Sequence, residues 1–107
     1  MKIKKYQIDV YDSVLDYIHA SSRTITEYYI PEYMLHFNLE NDTINVFTTT
    51  DSSRKDAIKK IDELEDIEIS GELVFMIKRL YEDKEYLRGK LLMWYDRNQD
   101  NKKVEQK

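Results

Sequence analysis

The stretch IDELEDIEISGE, Ile61–Glu72, carries six acids, Asp62, Glu63, Glu65, Asp66, Glu68 and Glu72, and neither lysine nor arginine. How it folds decides the strand count of the whole chain. Joined to the residues before it, DSSRKDAIKKIDELED places Ala57, Ile58, Ile61 and Leu64 three and four apart. That spacing predicts a helix over 51–66, capped by Asp51, Ser52 or Ser53 with Asp56 three residues after Ser53. From its far end, DIEIS alternates Ile67 and Ile69, the period of a short strand. As a helix it gives the order (β)αβββαα, with a small antiparallel three-stranded sheet and a long C-terminal helix. As a strand it gives βαββαβ plus a final helix, a ferredoxin-like plan. Both are α+β, and the first is taken as the working reading.

Upstream, MKIKKYQI reads as a short edge strand kept soluble by its lysines. From Asp9 the spacing of Val10, Tyr11, Val14, Leu15 and Ile18 predicts a helix to about Ser21. TITEYYI has strand composition, and Pro31 ends it. YMLHFNL sets Tyr33, Leu35, Phe37 and Leu39 on one face and Met34, His36 and Asn38 on the other. ENDT supplies turn residues before TINVFTTT, which makes a hairpin. His36, opposite Leu35 and Phe37, reads as an exposed strand residue.

Downstream, Leu73, Leu80, Leu87 and Trp94 fall seven apart from Gly71 to about Asn98. A helix of that span is roughly 40 Å long. Its polar middle, EDKEY, and Gly89 predict either a break near Lys84 or a helix standing proud of the core. The expected organisation is one domain, 1–98, and a polar, frayed tail, 99–107.

Composition narrows the function classes. The 107 residues carry 21 acids against 17 bases, a net charge of −4, which argues against binding nucleic acid directly through a basic face. There is no cysteine, so thiolate zinc sites and thiol nucleophiles are excluded. No apolar run approaches the roughly 18 residues of a membrane span, and the basic start lacks the apolar core of a signal peptide. The chain is therefore expected to be cytoplasmic. His19 and His36 lie on different elements without zinc spacing, so no metal is expected. Glu82–Lys84 matches the Glu-x-Lys element of metal-dependent nucleases, but in a helical context. There is no Gly-rich phosphate loop and no nucleophile elbow. No cofactor and no enzymatic activity are expected.

In a helix over 51–66, Asp62, Glu65 and Asp66 would repel one another and sit in the last turn, where the dipole favours cations. A surface helix end with several acids is ordinary. The functional alternative is a decoy for nucleic acid. Six acids over eleven residues approach the linear charge of a duplex, one per ~1.7 Å. Tyr28, Tyr29 and Tyr33 would anchor the same partner.

A short, acidic, cysteine-free chain with this element order and an acidic run in its helical C-terminal half resembles phage-encoded anti-CRISPR proteins that block Cas9. The likeness lies in element order and charge and includes no diagnostic motif. It implies a phage or mobile-element inhibitor, acting in the host cytoplasm by DNA mimicry. The partner would be a basic nucleic-acid-binding protein, such as a Cas9-type nuclease. The alternative expectation is a homo-oligomeric regulatory or scaffold protein, monomer or homodimer at rest, assembled through Leu87, Leu91, Trp94 and Tyr95 of the last helix.

Overall fold

The computed structural model describes residues 1–105, with side chains described through 97. The order is β1 (Lys2–Val10), α1 (Val14–Ile18), β2 (Arg23–Ile30), β3 (Leu35–Glu40), β4 (Thr43–Thr48), α2 (Ser52–Lys59), a 3₁₀ turn (Ile61–Glu63), β5 (Glu65–Glu68) and α3 (Gly71–Glu105). The α+β class holds. The sheet has five strands rather than three, in the order β4-β3-β2-β1-β5, with every pairing antiparallel.

The opening stretch therefore splits. Helix α2 starts on Asp51, whose carboxylate accepts from the Arg54 N–H at 2.8 Å, but it ends at Lys59 instead of Asp66. The acids explain why. Lys2, Lys4 and Lys5 of β1 stand opposite Glu68, Asp66 and Glu65 of β5, and Ile3 stands opposite Ile67. Opposite charges facing across a ladder stabilise it, whereas the same acids at a helix C-terminus repel. The DIEIS alternation is thus realised as a strand, although the resulting meander is not the ferredoxin-like plan.

Two other expectations are corrected, and of the two alternatives for the last helix the continuous one is seen. β1 lies between β2 and β5, so it is an interior strand. It also extends through Val10, because seven residue pairs with β2 outweigh a helix whose apolar side finds no cover. Helix α1 shrinks to five residues, and Val14, Leu15 and Ile18 remain exposed. α3 does not break at Lys84–Gly89 but runs on to Glu105. The β3–β4 hairpin turns as expected. Asn41 and Asp42 both take positive φ, 51° and 60°, the two-residue turn that matches strand twist.

Two cores flank the sheet. On one face Ile3, Ile30, Leu35, Phe37 and Val46 pack against Val74 and Ile77 of α3. On the other Tyr6, Ile8 and Tyr29 meet Ala57 and Ile58 of α2, then Ile61 and Leu64. Because the apolar contacts of α3 with the sheet end at Tyr81, beyond which Lys84 lies over the Phe47 ring at 5.9 Å, the molecule is elongated, 61 × 40 × 27 Å. Its radius of gyration is 18.1 Å, where about 13 Å is usual for a compact domain of this length. The polar tail expected over 99–107 lies outside the described side chains.

Candidate functional site

Three regions hold the chemistry. The first is a polar network buried under α2. Glu27 of β2 is fully buried, and Arg54 of α2 donates to it twice, Nε to Oε2 at 2.8 Å and Nη2 to Oε1 at 2.6 Å. Asn38 donates to Oε1 at 2.8 Å and the Tyr6 hydroxyl donates to Oε2. Tyr6 Oη also lies 2.7 Å from His36 Nδ1, and His36 Nε2 lies 2.6 Å from Thr49 Oγ1. With its one proton directed to Glu27, the Tyr6 oxygen must accept from His36 Nδ1–H; in a neutral ring Nε2 then accepts from the Thr49 hydroxyl.

The surroundings favour that neutral ring. Burial, together with the Arg54 charge and against the pull of Glu27, lowers the His36 pKa to about 4. Burial and then the Glu27 contact push the Tyr6 hydroxyl well above its usual range. Burial disfavours the Arg54 charge, but Glu27 and Asp51 outweigh it and raise its pKa. Its guanidinium lies 4.2 Å from the centre of the Phe47 ring. Both His36 nitrogens are engaged, and no buried side-chain polar atom among the described residues lacks a partner. The network is closed and offers no free valence to a substrate. The expectation of an exposed His36 is corrected: α2 lies over that face, and Tyr6, Tyr29 and Thr49 close round the ring.

The second region is the acidic run. Asp66 is 2.7 Å from Lys4, which lowers its pKa, and Glu68 is 3.3 Å from the N-terminal amine. Glu65 stands opposite Lys5 without an ion pair. Asp62 and Glu63 lie on the exposed 3₁₀ turn and Glu72 in the first turn of α3, and none of the three forms an ion pair among the described residues. Tyr28 lies in one cross-strand row with Lys5 and Glu65, but the three tyrosines do not lie together on one face. Tyr28 stacks on Phe37 at 4.9 Å, and Tyr33 packs at the α3 core with Lys78 over its ring. Tyr29, on the opposite face, is buried in the α2 core and cannot serve as an anchor.

The third region is the outer half of α3. Leu87, Leu91, Trp94 and Tyr95 are 60%, 66%, 64% and 55% exposed, and Leu80 and Leu92 are also open to solvent. Leu80, Leu87, Leu91 and Trp94 lie along one open apolar face of α3. Their spacing of three, four and seven puts them on a single stripe. The sequence expectation named Leu87, Leu91, Trp94 and Tyr95 as an interface, and all four are exposed on α3. It missed Glu27, Arg54 and Tyr6 altogether.

A shallow cleft at the far end of the sheet is lined in part by Asp12, Arg23 and Glu40, but Arg23 is held there by both carboxylates at 2.9 Å. Among the described residues no cluster of His, Cys, Asp or Glu is placed to hold a metal. Among them, no helix is long and apolar enough to cross a membrane. No family model matches the chain, and no curated protein or solved structure is found similar to it.

Proposed function

We propose that this chain is a non-catalytic interaction protein that assembles with its own copies through the outer half of α3, as a regulatory or scaffold unit. The observation that carries the reading is the apolar stripe Leu80–Leu87–Leu91–Trp94, exposed on a helix that has already left the sheet. Contiguous exposed apolar surface of this kind marks an interface.

Magnitudes favour association of moderate strength. Full burial of a leucine contributes roughly 1.5–3 kcal/mol. In a symmetric pair Leu87 and Leu91 count twice, and with about two thirds of their surface still exposed they supply about 4–8 kcal/mol. The loss of translational and rotational freedom opposes this with roughly 4–15 kcal/mol. Leu80, Trp94 and Tyr95 then decide the balance. Light scattering tests the reading: the wild type gains mass across a micromolar dilution series, and Leu87→Asp stays a monomer. A wild type that remains monomeric throughout removes it.

The second reading is the acidic inhibitor of a basic nucleic-acid-binding protein. What supports it is Asp62, Glu63 and Glu72, three exposed acids without ion-pair partners. The β1 lysines leave little else of the run to recruit a cation. Capture of a purified Cas9-type nuclease, lost on Asp62→Lys with Glu63→Lys, would support this reading. Unchanged capture, or none by the wild type, would remove it.

A further inference from the structure

We infer that the partner on α3 is a second copy of α3 lying antiparallel, with the two helices crossing at Leu87. The inference rests on the self-association proposed above and adds its orientation and register.

Charge along the exposed segment reverses at Leu87. Before it stand Glu82, Asp83 and Glu85, with Lys84 among them; after it stand Arg88 and Lys90. A parallel, in-register pair would set the acids of each copy level with the acids of the other, and the bases level with the bases. Turning one helix round about Leu87 matches residue i with residue 174 − i. The acidic half of each copy then lies along the basic half of the other. Leu80 comes level with Trp94 of the copy, and Leu87 meets Leu87.

One contact is specific to this register. Asp83 and Lys90 lie on the same flank of the leucine stripe, seven residues apart. In an antiparallel pair like flanks face each other, so Asp83 of one chain is within one residue's rise, ~1.5 Å, of the level of Lys90 of the other. The contact occurs twice by symmetry. Within its own chain Asp83 reaches only Arg79, at 3.8 Å, and Lys90 has no carboxylate partner among the described residues; its ammonium lies 5.5 Å from the centre of the Tyr86 ring. Both ends of the contact are therefore available.

The sheet leaves room for such a neighbour. Val74, Ile77 and Tyr81 face the sheet core, and the leucine stripe lies about a quarter turn round the helix from them. A second helix can lie along the stripe without displacing the sheet. Gly89 lies on the far side, where a Cβ would meet nothing within 4 Å, so it is not a site of close helix approach.

The absence of native cysteine makes cross-linking unambiguous. Asp83→Cys and Lys90→Cys chains are mixed under oxidising conditions, beside each alone and beside Leu80→Cys alone. A disulfide-linked dimer formed mainly in the mixture is the expected result. Efficient cross-linking of Leu80→Cys with itself indicates a parallel pair and overturns the inference. So does a wild type that is dimeric by light scattering while the mixture gives no cross-link. A charge exchange supplies a second arm that leaves the apolar stripe intact. Asp83→Lys weakens the dimer several-fold, and adding Lys90→Asp restores it; no restoration overturns the register. A monomeric wild type removes the inference together with the assembly it rests on, and the two failures are thereby told apart.

Discussion

Under α2 the sheet buries Glu27, His36, Asn38 and Arg54, whereas the outer half of α3 holds Leu87, Leu91, Leu92, Met93, Trp94 and Tyr95 in the open. Polar groups lie inside one region and apolar groups outside the other. The buried polar groups have found their partners within the chain: each Glu27 oxygen accepts from two donors, and the hydrogen bonds run on to Thr49. The exposed apolar groups keep more than half of their surface in solvent. A buried ionic network that is fully satisfied is neutral to modest in net stability but costly to break. A bare apolar stripe costs little in the monomer and gains when covered. The first region therefore maintains the fold, and the second is the surface proposed above for assembly.

The largest expected effect comes from opening the closed region. Glu27→Ala leaves the Arg54 guanidinium buried with only Asp51, and a loss of about 3–5 kcal/mol in urea unfolding is expected. Glu27→Leu combined with Arg54→Met is expected to lose less than Glu27→Ala alone, because no charge is stranded. A double variant as unstable as the single would mean that the network contributes packing rather than charge pairing.

Next is a contrast within α3. Ile77→Ala, in the covered half, is expected to cost roughly 2–5 kcal/mol, while Leu87→Ala, measured at monomeric concentration, changes unfolding by less than about 0.5 kcal/mol. Similar losses at both sites would show that Leu87 is part of the core after all.

The pH dependence of the closed region follows from His36. Its folded pKa, about 4, is below the unfolded value of 6.5, so the unfolded chain binds the proton first. Stability is unaffected by this group above pH 6.5, falls as pH drops from 6.5 to 4, and levels off below. The slope is at most about 1.4 kcal/mol per pH unit, some 3 kcal/mol in all. Urea titrations at pH 7, 6 and 5 check it, and a flat profile would mean that His36 is charged or solvated in the fold. The smallest effect is Gly89→Ala in the outer half of α3, an open helical position where up to about 1 kcal/mol of stabilisation is expected.

The sequence made the two regions unequally legible. The exposed stripe was readable because helical periodicity survives whether or not a partner is present. The hairpin was readable because Asn41–Asp42 tolerate positive φ. The buried network was missed, yet Glu27 interrupts the apolar period of β2 between Ile25 and Tyr29, and Arg54 sits on the Ala57–Ile58 side of α2. Two opposite charges, each on an apolar face, could have been paired. The acidic run was misread for a related reason. Its charges were weighed along the chain, at helical spacing, whereas their partners are across the ladder in KIKK of β1. Local sequence spacing carries no record of a pairing more than sixty residues away.

If the outer half of α3 is covered when two chains meet, as proposed, Trp94, the one tryptophan, reports on it. Its emission should shift to longer wavelength on dilution, with the same midpoint as the fall in mass by light scattering. Emission and mass that both stay constant, at the monomer value, from high to low concentration would contradict the claim.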